Sequence, residues 1–189
     1  MTDKELIKKL DKLGYTKLWL TSGILTIEEL IKQEQLFDNH DDKNIEHFRY
    51  NALKSYLANK SKLSDIEFDN YIKLTFNDND NQMAGTATVD LFKTNTLTDV
   101  QFEKLCDAVR QFGEWTEKVI KRQRLLRRLR HKQLTNDLLI ESIESDDSII
   151  QEYIIDIADI SQLQEIAIKG TNKRIRNLAR DKQKRLTGN

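Results

Sequence analysis

The residues best equipped for chemistry in this chain are cations gathered in two segments. Residues 118–132 hold Lys118, Lys121, Arg122, Arg124, Arg127, Arg128, Arg130 and Lys132 with no acidic residue among them. Residues 169–185 hold Lys169, Lys173, Arg174, Arg176, Arg180, Lys182, Lys184 and Arg185 against Asp181 alone. Ammonium and guanidinium groups in such runs recognise phosphate, on nucleic acid or on an acidic partner. The residues singled out as candidate contacts to an anion, a nucleic acid or a partner are Lys121, Arg122, Arg124, Arg127, Arg128, Lys173, Arg176 and Arg180.

A competing use for the same charges lies between the two runs. Residues 137–165 carry Asp137, Glu141, Glu144, Asp146, Asp147, Glu152, Asp156, Asp159 and Glu165 and no basic residue. If helices 114–132 and 171–186 flank this acidic stretch, their cations pair with it internally, and this is the favoured expectation. At about 100° per residue, Trp115, Val119, Leu126 and Leu129 share one stripe of the first basic helix, and Arg122 falls within it. A guanidinium there needs a partner, expected at Glu141 or Glu144 on the next helix, or else it stands exposed in a groove as a binding arginine.

Other chemistry finds little footing. His40, His47 and His131 have no ligand spacing to one another, so no metal site is expected. The Asx-rich turns at 38–44 and 77–82 lack the glycine at position six and glutamate at position twelve of a calcium loop, and read as helix caps. No phosphate loop, dinucleotide fingerprint, serine elbow or framed pair of carboxylates appears, so no catalytic residue and no cofactor are assigned. Cys106, between Leu105 and Val109, reads as a small buried hydrophobe, and as the lone cysteine it fits a reducing compartment. Trp19, Trp115, Phe68, Phe76, Phe92, Phe102 and Phe112 read as core.

The elements that position these residues are set by a recurring phrase. It reads Leu25-Thr26-Ile27-Glu28-Glu29-Leu30, Leu63-Ser64-Asp65-Ile66-Glu67-Phe68, Leu97-Thr98-Asp99-Val100-Gln101-Phe102 and Leu134-Thr135-Asn136-Asp137-Leu138-Leu139, with a worn copy at Ile160-Ser161-Gln162-Leu163-Gln164-Glu165. Successive copies start 38, 34, 37 and 26 positions apart, in the range of stacked helical repeats. A hydroxyl caps, an acid or amide follows in the first turn, and apolar residues continue at helical spacing. This predicts helices over 26–36, 64–76, 98–112, 135–144 and 161–169. Each phrase is read as opening the second helix of a pair and the segment before it as the first, the first helices being predicted over 43–60, 80–94, 114–132, 147–158 and 171–186, with an opening helix over 3–13.

The second set shares its own pattern. A polar Asx turn leads into an apolar residue and a small alanine, as in Ile45 and Ala52, Met83 and Ala87, and Ile175 and Ala179. This combination resembles the HEAT and armadillo class of α-helical repeats, Ile175-Arg176-Asn177-Leu178-Ala179-Arg180 being the nearest match. The resemblance spans 25–186. The usual proline of the class is missing, since the chain has none, and Arg124 falls near where an alanine belongs. What the resemblance implies is an α-α superhelix, a HEAT-like solenoid of about five helix pairs, whose trade is binding macromolecules.

Composition agrees with helices. Of 189 residues 38% are hydrophobic and 33% charged, glycine occurs six times, and 31 basic residues balance 31 acidic ones. No apolar run approaches a membrane span, and no secretory leader is read at the N-terminus, so a cytoplasmic location is expected. The expected organisation is one domain over 1–189, with a capping helix in 1–24 and repeats over 25–186. The leading functional expectation is a non-enzymatic interaction module that holds another protein. The second is DNA or RNA binding through helices 114–132 and 171–186, and a HEAT-like DNA glycosylase is the remote third. No membrane partner is expected and no small-molecule substrate is identified.

Overall fold

A computed structural model describes residues 2–39, 43–94 and 96–188 of the chain. Among the described residues there are α-helices and no strands. In chain order they are α1 (Asp3–Lys12), α2 (Lys17–Thr21), α3 (Ile27–Asn39), α4 (Ile45–Ala58), α5 (Asp65–Phe76), α6 (Asn81–Lys93), α7 (Asp99–Val109), α8 (Trp115–His131), α9 (Asn136–Glu144), α10 (Ser148–Ile157), α11 (Ile160–Lys169) and α12 (Lys173–Thr187). One 3-10 turn, Arg110–Phe112, extends α7. The expected helices are therefore present to within a few residues, and α2 is an addition. The chain divides after Glu114 into two compact units.

Cap chemistry sets where most helices begin. Thr26 and Glu29 exchange side-chain hydrogen bonds with each other's backbone N–H, and Ser64 with Glu67 and Thr98 with Gln101 repeat that reciprocal box. Thr135 caps α9 by accepting from the N–H of Leu138. The fifth copy corrects the expected phrase. The cap of α11 is Asp159, not Ser161, and Gln162 closes its box. A carboxylate two residues earlier is the acceptor the amides meet, and it aligns Gln162 with Gln101 and Leu163 with Phe102. Of the predicted Asx turns, Asp80 caps α6 and Asn172 caps α12; Asp147, not singled out as a cap, caps α10. Residues 40–42 of the turn at 38–44 lie outside the described residues.

In the first unit, α1 packs on α3, α2 on α5, α4 on α6, and α5 on both α6 and α7. Ala52 and Ala87 are buried on α4 and α6, and Leu53, Leu91, Phe68 and Phe102 fill the core around them. Phe92 and Phe102 meet edge to face with ring centroids 5.4 Å apart. Tyr15 and Trp19 do the same at 4.9 Å, which anchors the short α2.

In the second unit, α8 packs on α10, α9 on α11, and α12 on both α10 and α11. Leu126, Leu129, Leu139, Ile154, Leu163, Ile166, Ile175 and Ala179 belong to one core cluster. Gln151, fully buried, donates to the Ile143 carbonyl and accepts from the Thr171 N–H, tying the end of α9 to the start of α12. The buried face of α8 differs from the expected stripe. Thr116, Ile120, Leu125, Leu126 and Leu129 are buried, whereas Trp115 is 53% exposed. Trp115 is the first helical residue and sits one position out of register with that face. Phe76 and Phe112 are half-buried and stack with centroids 4.8 Å apart. Cys106 is fully buried.

Candidate functional site

Two glutamine contacts, one buried and one partly buried, join successive phrases. Gln101 Nε2 donates to the Leu63 carbonyl at 3.2 Å and to Asp65 Oδ1 at 2.8 Å. Gln162 Nε2 donates to the Leu134 carbonyl at 2.8 Å. Each glutamine already closes the capping box of its own helix through Oε1, so one side chain both starts a helix and registers it on the one before. Only an amide can do this, because the backbone N–H needs an acceptor and the neighbouring carbonyl needs a donor. Glu67, at the equivalent position of the second phrase, has no donor and turns to Lys60 and Tyr56 instead.

Arginine–aspartate pairs recur in both units. In the first, Arg49 of α4 gives Nε and Nη2 to Asp78 at 2.7 and 2.9 Å, and Nη1 to the Leu13 carbonyl at 3.3 Å. Both side chains are 5% exposed or less. Asp80 caps α6, and Asp78 meets the guanidinium with both oxygens while its Oδ1 also accepts from the Asp80 N–H. The pair floors a cleft of about 610 Å³ lined by Thr16, Lys17, Trp19, Ile45, Lys73 and Asn77 among others.

In the second unit Arg122 of α8 gives Nε to Asp147 Oδ2 at 2.7 Å. Asp147 rather than Glu141 or Glu144 is therefore its partner. The reason is local: Asp147 is itself the cap of α10, and its Oδ1 accepts from the N–H groups of Ile149 and Ile150. Oδ1 thus serves the cap and Oδ2 takes the arginine Nε. Arg122 also borders a cleft of about 660 Å³, lined on one side by Lys118, Lys121 and Arg124 and on the other by Glu141, Glu144 and Ser145, with Leu125 and Ile150 also contributing.

The eight sequence candidates separate in the second unit. Lys121, Arg122 and Arg124 line the cleft together. Arg128 leaves it and pairs with Glu141 at 2.5 Å, both half-exposed. Arg127 is half-buried and does not line the cleft. Arg176 donates to the Gly170 carbonyl at 2.7 Å, and Arg180 donates to the Ala167 carbonyl at 3.1 Å. Lys173 opens α12, is exposed, and stands apart from the cleft.

The basic helix α12 thus has a structural use that its sequence conceals. Arg176 and Arg180 satisfy carbonyls at the C-terminal end of α11, and Lys182 donates to the Ile155 and Asp156 carbonyls at the end of α10. Helix C-termini leave carbonyls without intrahelical donors and concentrate partial negative charge. Arg174 pairs with Glu152 of α10. Cations of α12 therefore serve as caps and as one ion pair within the second unit.

Among the described residues no group of side chains could hold a metal ion, and no helix is long and apolar enough to cross a membrane. No family model, no curated protein and no solved structure matches the chain.

Proposed function

We propose that the chain is a HEAT-like helical-repeat interaction module that holds another protein and performs no catalysis. The observation that carries this reading is the repeated glutamine registration, Gln101 on the second phrase and Gln162 on the fourth. A contact that ties a phrase to its predecessor, made once within each unit, is what stacked repeats use, and such stacks present extended surfaces to macromolecules. Ile66 and Val100 add support. They occupy the same place in successive phrases on the packed helices α5 and α7, and they are 74% and 67% exposed.

Nucleic-acid binding by helices 114–132 and 171–186 is the weaker reading, because Arg128, Arg174, Arg176, Arg180 and Lys182 already have partners within the second unit. The test is capture on the purified chain from its native cell, followed by reconstitution with the purified partner. Binding that is retained by wild type and lost by Ile66→Asp with Val100→Asp, at unchanged helical circular dichroism, is the expected result. No reproducible protein partner, together with turnover of a small molecule, overturns it.

A further inference from the structure

The two arginine–aspartate pairs differ in one chemical respect. Arg49 has all three of its nitrogens engaged, two by Asp78 and one by the Leu13 carbonyl. Arg122 is held through Nε by Asp147 Oδ2, while Asp147 Oδ1 caps α10. Among the described residues the Nη fork of Arg122 has no partner, and its side chain, 23% exposed, borders the 660 Å³ cleft. Lys118, one turn before Arg122, and Lys121 beside it line the same cleft, as does Arg124, so four cations of one helix border it.

We propose that this cleft is an oxyanion site for a compact phosphate-bearing small molecule. The Arg122 fork, oriented by Asp147, supplies paired N–H donors, and Lys118 and Lys121 supply two ammonium groups around the same tetrahedral anion. The volume lies in the range of small-ligand sites. The facing wall selects the rest of the molecule. Glu141 and Glu144 repel an extended polyanion running along the cleft, and Glu144 offers a carboxylate to an ammonium or hydroxyl group of the ligand. This site is separate from the protein-binding reading and stands or falls without it.

The experiment uses the full chain labelled with ¹⁵N and titrated at constant ionic strength with inorganic phosphate and then with phosphoethanolamine. Saturable shifts at the amides of α8 and at the Arg122 Nε–H are expected. Lys118→Ala with Lys121→Ala, both at exposed positions, should weaken binding about tenfold or more at unchanged melting temperature. Phosphoethanolamine should bind more tightly than phosphate, and Glu144→Gln should remove that difference. Arg122→Lys, which keeps the charge and loses the fork, should also bind more weakly. Shifts that fail to saturate, or that persist unchanged in the double lysine variant, overturn the proposal. Displacement of phosphate by an oligothymidylate without terminal phosphates also overturns it, because the source of the anion is then a nucleic-acid backbone.

Discussion

Arg49 and Asp78 meet in a two-pronged ion pair, 29 residues apart in sequence and almost wholly removed from solvent. Gly14, at φ +70°, passes so close that a Cβ there would lie 2.6 Å from Arg49 Nη1. The left-handed turn at Gly14 and the Leu13 carbonyl beside it are thus part of the seat of the guanidinium. The pair joins the start of the first unit, α4 and the turn before α6.

Removing one partner leaves the other charged and buried. Asp78→Ala should cost about 3–5 kcal/mol, and Arg49→Met with Asp78→Leu should cost less than Asp78→Ala alone, because the double change leaves no unpaired ion. Urea denaturation of the single and double variants measures both. Equal or greater loss in the double variant would show that the pair contributes through packing rather than charge.

Glu67 governs a second, acid-dependent contribution. The Lys60 ammonium, and then the backbone N–H and hydroxyl of Ser64, hold its carboxyl down from 4.5 to about 2. A carboxyl lowered on folding contributes stability that is present above its unfolded value and is lost as pH falls through the folded one. Melting temperature should therefore decline between about pH 4.5 and pH 2 partly through Glu67. Glu67→Gln should be less stable than wild type at neutral pH and should flatten that decline. Parallel slopes for the two proteins across the window would remove Glu67 from the account.

The glutamine registration makes a third prediction. Gln101→Glu keeps an oxygen for the capping box but loses the donor to Leu63 and faces a carboxylate toward Asp65. At a site 1% exposed this should cost about 1–3 kcal/mol, the range for stranding a buried polar group. Gln162→Glu should cost less, since its contact to the Leu134 carbonyl is only partly buried. Chemical denaturation of the two variants gives the order directly.

Helix positions were legible because caps are local chemistry. A hydroxyl or carboxylate followed three residues later by an acid or amide announces where backbone N–H groups need an acceptor, and Ser64 and Thr98 obey that rule. α2 escaped it: five residues are too few for apolar periodicity, and Thr16 makes no side-chain cap hydrogen bond. Arg122 meets Asp147 rather than the expected Glu141 or Glu144 because Asp147 caps α10 and is buried there, a position that its place in the acidic stretch does not mark. The cations of α12 were misleading for a different reason. Their acceptors are backbone carbonyls, which every residue carries, so no side-chain pattern marks them.

The claim that the basic helices serve the fold is tested most directly by Arg176→Glu with Arg180→Glu, read by melting temperature and by oligonucleotide binding at two salt concentrations. The reversal removes donors to the Gly170 and Ala167 carbonyls and places negative charge at the negative end of α11. The predicted result is a melting temperature lower by several degrees, the consequence of about 1–3 kcal/mol, with no salt-dependent oligonucleotide binding in wild type to lose. An unchanged melting temperature, together with loss of an oligonucleotide affinity that wild type possesses and that falls steeply with salt, would contradict it.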